Sequence, residues 1–150
     1  MPSITDLQQA IFERVTTNNP ELKAYIDPGL KVYENYVPDF VESPAAFIEP
    51  GRPFVNYQTA NRSSLATWSL IITFLVDRID ELEAQQTLSG YVDPTGVFVA
   101  GLQQDGLGDS LSELSNDSVR VESATNWGIA FDKDGTTSYY AAQIMITIRA

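Results

Sequence analysis

The run from Leu65 to Val76 constrains the fold more than any other part of the chain. Trp68, Leu70, Ile72, Phe74 and Val76 alternate on one face, and Ser69, Ile71, Thr73 and Leu75 form a mixed second face. A strand apolar on most of both faces belongs at a sheet centre covered on both sides, or meets a partner on one of them. Ser138 to Arg149 repeats the period of two: Tyr140, Ala142, Ile144, Ile146 and Ile148 fall on one face. Tyr139, Ala141, Gln143, Met145, Thr147 and Arg149 fall on the other. Val119 and Val121 alternate with Arg120 and Glu122, so 118–125 reads as a half-exposed strand that 127–131 extends or pairs with. Asp132-Lys133-Asp134-Gly135 between these runs is a hairpin signal.

Helical spacing appears in three places. Ile4, Leu7, Ile11 and Val15 form one stripe over 3–17, with Ser3 as N-cap and Asp6 at the positive helix end. Asn18-Asn19-Pro20 ends that helix, and a short turn over 21–26 follows before Asp27-Pro28-Gly29. Asp77-Arg78 opens a second helix, whose period Ile79, Leu82, Gln86 and Leu88 or Ser89 roughly sustain, closed by Gly90 or Asp93-Pro94. A third, over 95–104, turns Val97, Phe98, Gly101 and Leu102 inward, and Gly106 and Gly108 stop it. Lys31 to Val37 reads as a first strand.

From 37 to 63 the chain is broken by Pro38, Pro44, Pro50 and Pro53, yet carries Phe40, Phe47, Ile48, Phe54 and Tyr57. Such a segment is too irregular for a sheet centre and too apolar for a free linker. It is expected to hold strand pieces near 46–49 and 54–60. It is either a loop packed on its own domain or an arm on a neighbouring subunit. The order of elements gives an α+β fold: an antiparallel, or mixed, sheet packed by an N-terminal helix and one or two central helices on one side, with this aromatic, proline-rich arm. At 150 residues the chain makes one domain, 1–150.

Composition then removes most chemistry. There is no cysteine and no histidine, which excludes disulfides, thiolate sites and imidazole-based catalysis. What survives is carboxylate-only work, such as a glycosidase pair or an oxygen-ligand Mg²⁺ or Ca²⁺ site. Phe131-Asp132-Lys133-Asp134-Gly135-Thr136 is similar to the nucleophile loop of haloacid-dehalogenase-type phosphatases. The 14 residues after Thr136 contain no Lys, Asp or Glu to complete that site. As a calcium loop it fails at Thr136 and Gln143, where acidic ligands belong. A hairpin turn is the better reading. Asp77, Asp80, Glu81 and Glu83 read as a solvated helix face, and Gly106-Leu107-Gly108 as a loop. Trp68 and Trp127 are read as core in preference to a sugar-stacking platform. No catalytic, cofactor-binding or metal-binding residue is expected.

Several features together resemble the tail-terminator proteins of long-tailed bacteriophages. They are the helix 3–17, the aromatic arm from Tyr36 to Tyr57, the strand 65–76 running into Asp77-Arg78, the break Gly90-Tyr91-Val92-Asp93-Pro94-Thr95-Gly96, and the closing strands 118–131 and 138–149. The resemblance implies a structural virion protein at the neck, a homo-hexameric ring that caps the tail tube, ends its polymerisation and docks the head connector or stopper protein. Its partners would be itself, the tail-tube protein and that connector. Genomic DNA would pass through without specific binding, and assembly would take place in the host cytoplasm. A head-tail stopper or adaptor is the neighbouring alternative, and a carbohydrate-binding or carboxylate-only hydrolytic domain is the outsider. Composition, rather than the resemblance, suggests Tyr36, Phe40, Phe47, Phe54 and Tyr57 as subunit contacts. The net charge of −11 either keeps the chain soluble or lines a ring whose lumen DNA slides over. Only nine scattered Lys and Arg are present, which argues against gripping a nucleic-acid backbone. No run of about 18 apolar residues exists, so no membrane span is expected. Met1-Pro2-Ser3 shows no secretory leader.

Overall fold

The two most strongly alternating runs lie side by side. In the computed structural model, which describes residues 3–26, 29–34, 44–56, 67–78, 81–103, 119–131, 135 and 138–149, β3 (Thr67–Asp77) pairs antiparallel with β5 (Ser138–Arg149) without a register break, from Thr67↔Arg149 to Asp77↔Tyr139. β2 (Ala45–Asn56) flanks β3, β4 (Arg120–Phe131) flanks β5, and β1 (Lys31–Tyr33) lies outside β2, giving the order β1-β2-β3-β5-β4. The β1–β2 pair is parallel and every other pair antiparallel, so the α+β fold carries a mixed sheet.

Period two then decides which side is covered. Leu70, Ile72 and Phe74 of β3 and Ala142, Ile144, Ile146 and Ile148 of β5 form one core with Ala46 and Ile48 of β2. Leu7, Ala10 and Ile11 of α1 (Ile4–Glu13) pack there, with Leu22 of α2 (Pro20–Ile26). So do Ala84, Leu88 and Tyr91 of α3 (Glu81–Val92), and Phe98 and Leu102 of α4 (Val97–Leu102). α1, α2, α3 and α4 therefore sit on one face of the sheet. Full burial of each large aliphatic or aromatic side chain contributes about 1.5–3 kcal/mol, so this face dominates stability. Phe74 stacks on Tyr91 at 5.2 Å and meets Phe98 edge-on at 5.1 Å, joining β3 to α3 and α4. Burial first, and Tyr25 second, push the Tyr91 hydroxyl pKa up to about 12.

Local signals account for the helix ends. Ser3 and Asp6 form a capping box at α1, with the Asp6 amide donating to Ser3 Oγ and the Ser3 amide to the Asp6 carboxylate. Those bonds hold the Asp6 carboxyl below its usual range. The helix does not end at Glu13 but widens into a π-helical turn over Arg14–Asn18. Asn19 accepts from the Glu21 and Leu22 amides, capping α2, and donates to the Gly101 carbonyl at 3.2 Å. The buried Arg14 donates to the Leu102 carbonyl at 2.8 Å. Two side chains at the α1–α2 junction thus close the C-terminal end of α4.

Three expectations change. The 46–49 piece and the described part of the 54–60 piece, up to Asn56, are one strand, β2, that reaches the sheet interior despite Pro50 and Pro53. β1 pairs only with Ala45–Phe47, so farther along β2 the β1 side has no partner among the described residues, and the missing proline donors cost little there. The pairing with β3 shifts register between Pro50 and Val55, which absorbs the irregular stretch. The inner stripe of α3 is Ala84, Leu88 and Tyr91, whereas Leu82 is 69% exposed. Val97 likewise faces outward while its neighbours Phe98 and Val99 are buried. The described part of the first strand ends at Tyr33; the rest of it, and most of the 37–63 arm, lie outside the described residues.

Candidate functional site

Of the five suggested contact residues, Tyr36, Phe40 and Tyr57 lie outside the described residues. Phe47 is 8% exposed and packs in a small second cluster with Leu75, Tyr139 and Ala141 on the sheet face opposite the helices. Its ring is engaged within its own chain. Phe54 is open to solvent, with its ring 6.5 Å from that of Trp68. Trp68 is buried as expected; Trp127 is not, and its core reading is corrected. Trp127 belongs to β4, an outer strand, and sits where the pairing with β5 shifts register between Thr125 and Gly128. Among the described residues no strand pairs with the outer side of β4, and the indole is half exposed.

Trp127, Ile129 and Phe131 occupy alternate positions of β4 and are 49%, 49% and 67% exposed. In the two twelve-residue strands β4 and β5 the only charged residues are Arg120, Glu122 and Arg149. β4 thus carries little charge on a chain of net charge −11. β4 also contains no Pro and no Lys, two common devices that blunt an edge. Its start is pinned from the helix layer, since the Val121 amide donates to the Gln103 side chain at 2.9 Å, one residue past α4. The period-two spacing of Trp127, Ile129 and Phe131 and the scarcity of charge were both visible in the sequence. That the strand is an outer one was not.

A row of polar side chains crosses the opposite face. Asn126 Nδ2 donates to Gln143 Oε1, Gln143 Nε2 donates to Thr73 Oγ1 at 3.0 Å, and the Thr73 hydroxyl donates to the Glu49 carboxylate. The row therefore spans four strands, β4, β5, β3 and β2. Asn126 reaches it because its φ is 58°, a left-handed conformation that Asn tolerates and a bulge supplies. Glu49, Arg52, Phe54, Ile71, Asn126 and Gln143 line a cleft of about 620 Å³ at this place. Gly51 lies in its wall, and a Cβ there would come within 2.8 Å of Ser69 Cβ, so the β2 backbone approaches β3 as only glycine permits. Burial raises the Glu49 carboxyl pKa; nearby Arg52 and the Thr73 hydrogen bond pull it back only in part.

Glu49 is the one carboxylate among the described residues lining the cleft. Among the described residues no three His, Cys, Asp or Glu cluster as a metal site would require, and no helix is long and apolar enough to cross a membrane. The Asp-x-Asp stretch falls outside the described residues except for Gly135, whose φ is 71°. Its flanks pair antiparallel at Phe131↔Ser138, so it joins two neighbouring strands of a hairpin. No known protein family matches the chain, and no curated protein does either.

Proposed function

We propose that the chain is a structural, non-enzymatic virion protein that caps the phage tail tube as a ring, with the tail terminator's role of stopping tube growth and docking the head connector. The observation that supports this most is the β4 edge: twelve residues, nearly free of charge, with three exposed apolar side chains on a strongly acidic chain. Exposed apolar rows of this kind mark surfaces that meet other protein. Acidic copies associate best where their carboxylates are fewest, and a negative inner wall lets DNA pass without adhering. In this reading the ring subunits contact one another through β4, and the remaining acidic surface faces solvent and DNA.

The test is tail length in a lysate of the phage lacking this protein, seen by negative-stain electron microscopy. Tubes far longer than normal and detached from heads are expected. Normal-length, properly ended tails beside filled heads would instead identify a stopper or adaptor of the same neck region. Intact virions would refute an assembly role altogether.

A further inference from the structure

We propose that the cleft opposite the helices is a binding site for a neutral oligosaccharide, held by Glu49, Gln143 and Asn126 and by the face of Phe54. This inference does not rest on the tail-terminator reading. The polar row is set before any ligand arrives, because each side chain is oriented by the next: Asn126 by Gln143, Gln143 by Thr73, Glu49 by Thr73. Ordering these groups therefore adds little cost at binding. Among the described residues the row leaves over the second N–H of each amide, the Asn126 side-chain carbonyl and a Glu49 carboxyl oxygen. Planar amides and carboxylates with two adjacent polar atoms match the paired hydroxyls of a sugar ring.

The remaining walls fit the same ligand. Phe54 is 46% exposed and Ile71 adds an apolar floor, which suits the C–H face of a pyranose. The row runs across the strands, so its polar groups repeat at the strand spacing of about 4.8 Å, close to the length of one sugar ring. An extended peptide would bond along a strand edge, whereas these polar side chains stand in a row across the face of the sheet. A volume of about 620 Å³ holds more than one ring. Charge selects the class: Arg52 stands against Glu49, and the other lining side chains are uncharged, so the cleft is near neutral on a chain of net charge −11. With a single carboxylate among its described lining residues, the site binds without the second carboxylate that glycosidic cleavage requires.

The experiment is saturation-transfer NMR and calorimetry on the full chain with chitotetraose, cellotetraose and maltotetraose, each at up to about 10 mM. At least one of the three should bind, and Phe54→Ala and Asn126→Gly should each weaken it by about fivefold or more. Asn126→Gly keeps the left-handed backbone, so it removes the amide with the fold intact, checked by circular dichroism. Tetra-alanine, as a capped peptide, should not compete. The proposal is overturned if none of the three saccharides binds, if both variants bind as tightly as the parent, or if the peptide displaces the sugar.

Discussion

Asn19 holds three segments with one side chain, and its removal has a cost that can be worked out in parts. Its Oδ1 accepts from the Glu21 and Leu22 amides at 3.1 and 3.2 Å, and its Nδ2 donates to the Gly101 carbonyl. The residue is 1% exposed, so water does not replace these bonds. Loss of the N-cap costs about 1 kcal/mol. An unpaired buried carbonyl costs about 1–3 kcal/mol, reduced here because the Gln103 amide also lies against the Gly101 oxygen. Asn19→Ala should therefore destabilise the protein by about 2–3 kcal/mol, and Asn19→Ser, nearly the same size but still a cap, by about 1 kcal/mol less. Urea unfolding of the three proteins, compared at constant slope, measures both differences. Because α4 leads into Gln103, which pins the start of β4, Asn19→Ala should also speed hydrogen exchange at the Val121 amide. The reasoning is refuted if Asn19→Ala costs less than about 1 kcal/mol, or if serine restores nothing.

Three other outcomes follow from the same geometry. Gly51→Ala forces a Cβ to 2.8 Å from Ser69 Cβ and 3.0 Å from its carbonyl oxygen, so β2 must move off β3; a loss of about 1–3 kcal/mol in chemical denaturation is expected, and a neutral result would mean the strands part freely. The Glu49 carboxyl has a folded pKa raised above its ordinary 4.5, so the protonated form suits the folded state better. Its contribution to stability is complete below that value and is lost as pH rises through the folded pKa. Glu49→Gln should melt at or above the parent temperature at neutral pH and lose that advantage as pH falls below the ordinary value, by a small amount because the site is partly solvated. An advantage that grows on acidification would contradict the assigned cause. Finally, Trp127→Ser with Phe131→Ser should cost about 1–3 kcal/mol, mostly from the half-buried Trp127, and leave the monomer folded by circular dichroism, while abolishing self-association measured by light scattering or tail capping in a complementation assay. Retained association would remove β4 from the interface.

Much of this architecture can be read from the order of residues, because it depends on interactions close in sequence. The period of two over 67–77 and 138–149 specifies strands and their buried faces, and Ser3 with Asp6 specifies a helix start, whatever else the chain does. The absence of cysteine and histidine restricts chemistry in the same unconditional way. Other features depend on which strands become neighbours, and no local pattern records that. Pro50 and Pro53 fit within β2 because, among the described residues, β1 pairs only with its first residues. Trp127 is exposed because β4 is outermost, and Leu82 because α3 turns Ala84 and Leu88 to the sheet. The polar row needs Glu49, Thr73, Asn126 and Gln143, which lie up to 94 positions apart in sequence and meet only through the registers Glu49↔Ile71, Thr73↔Gln143 and Thr125↔Gln143. Burial pattern is a property of the strand, whereas strand order and register are set by the whole sheet competing for the best joint packing.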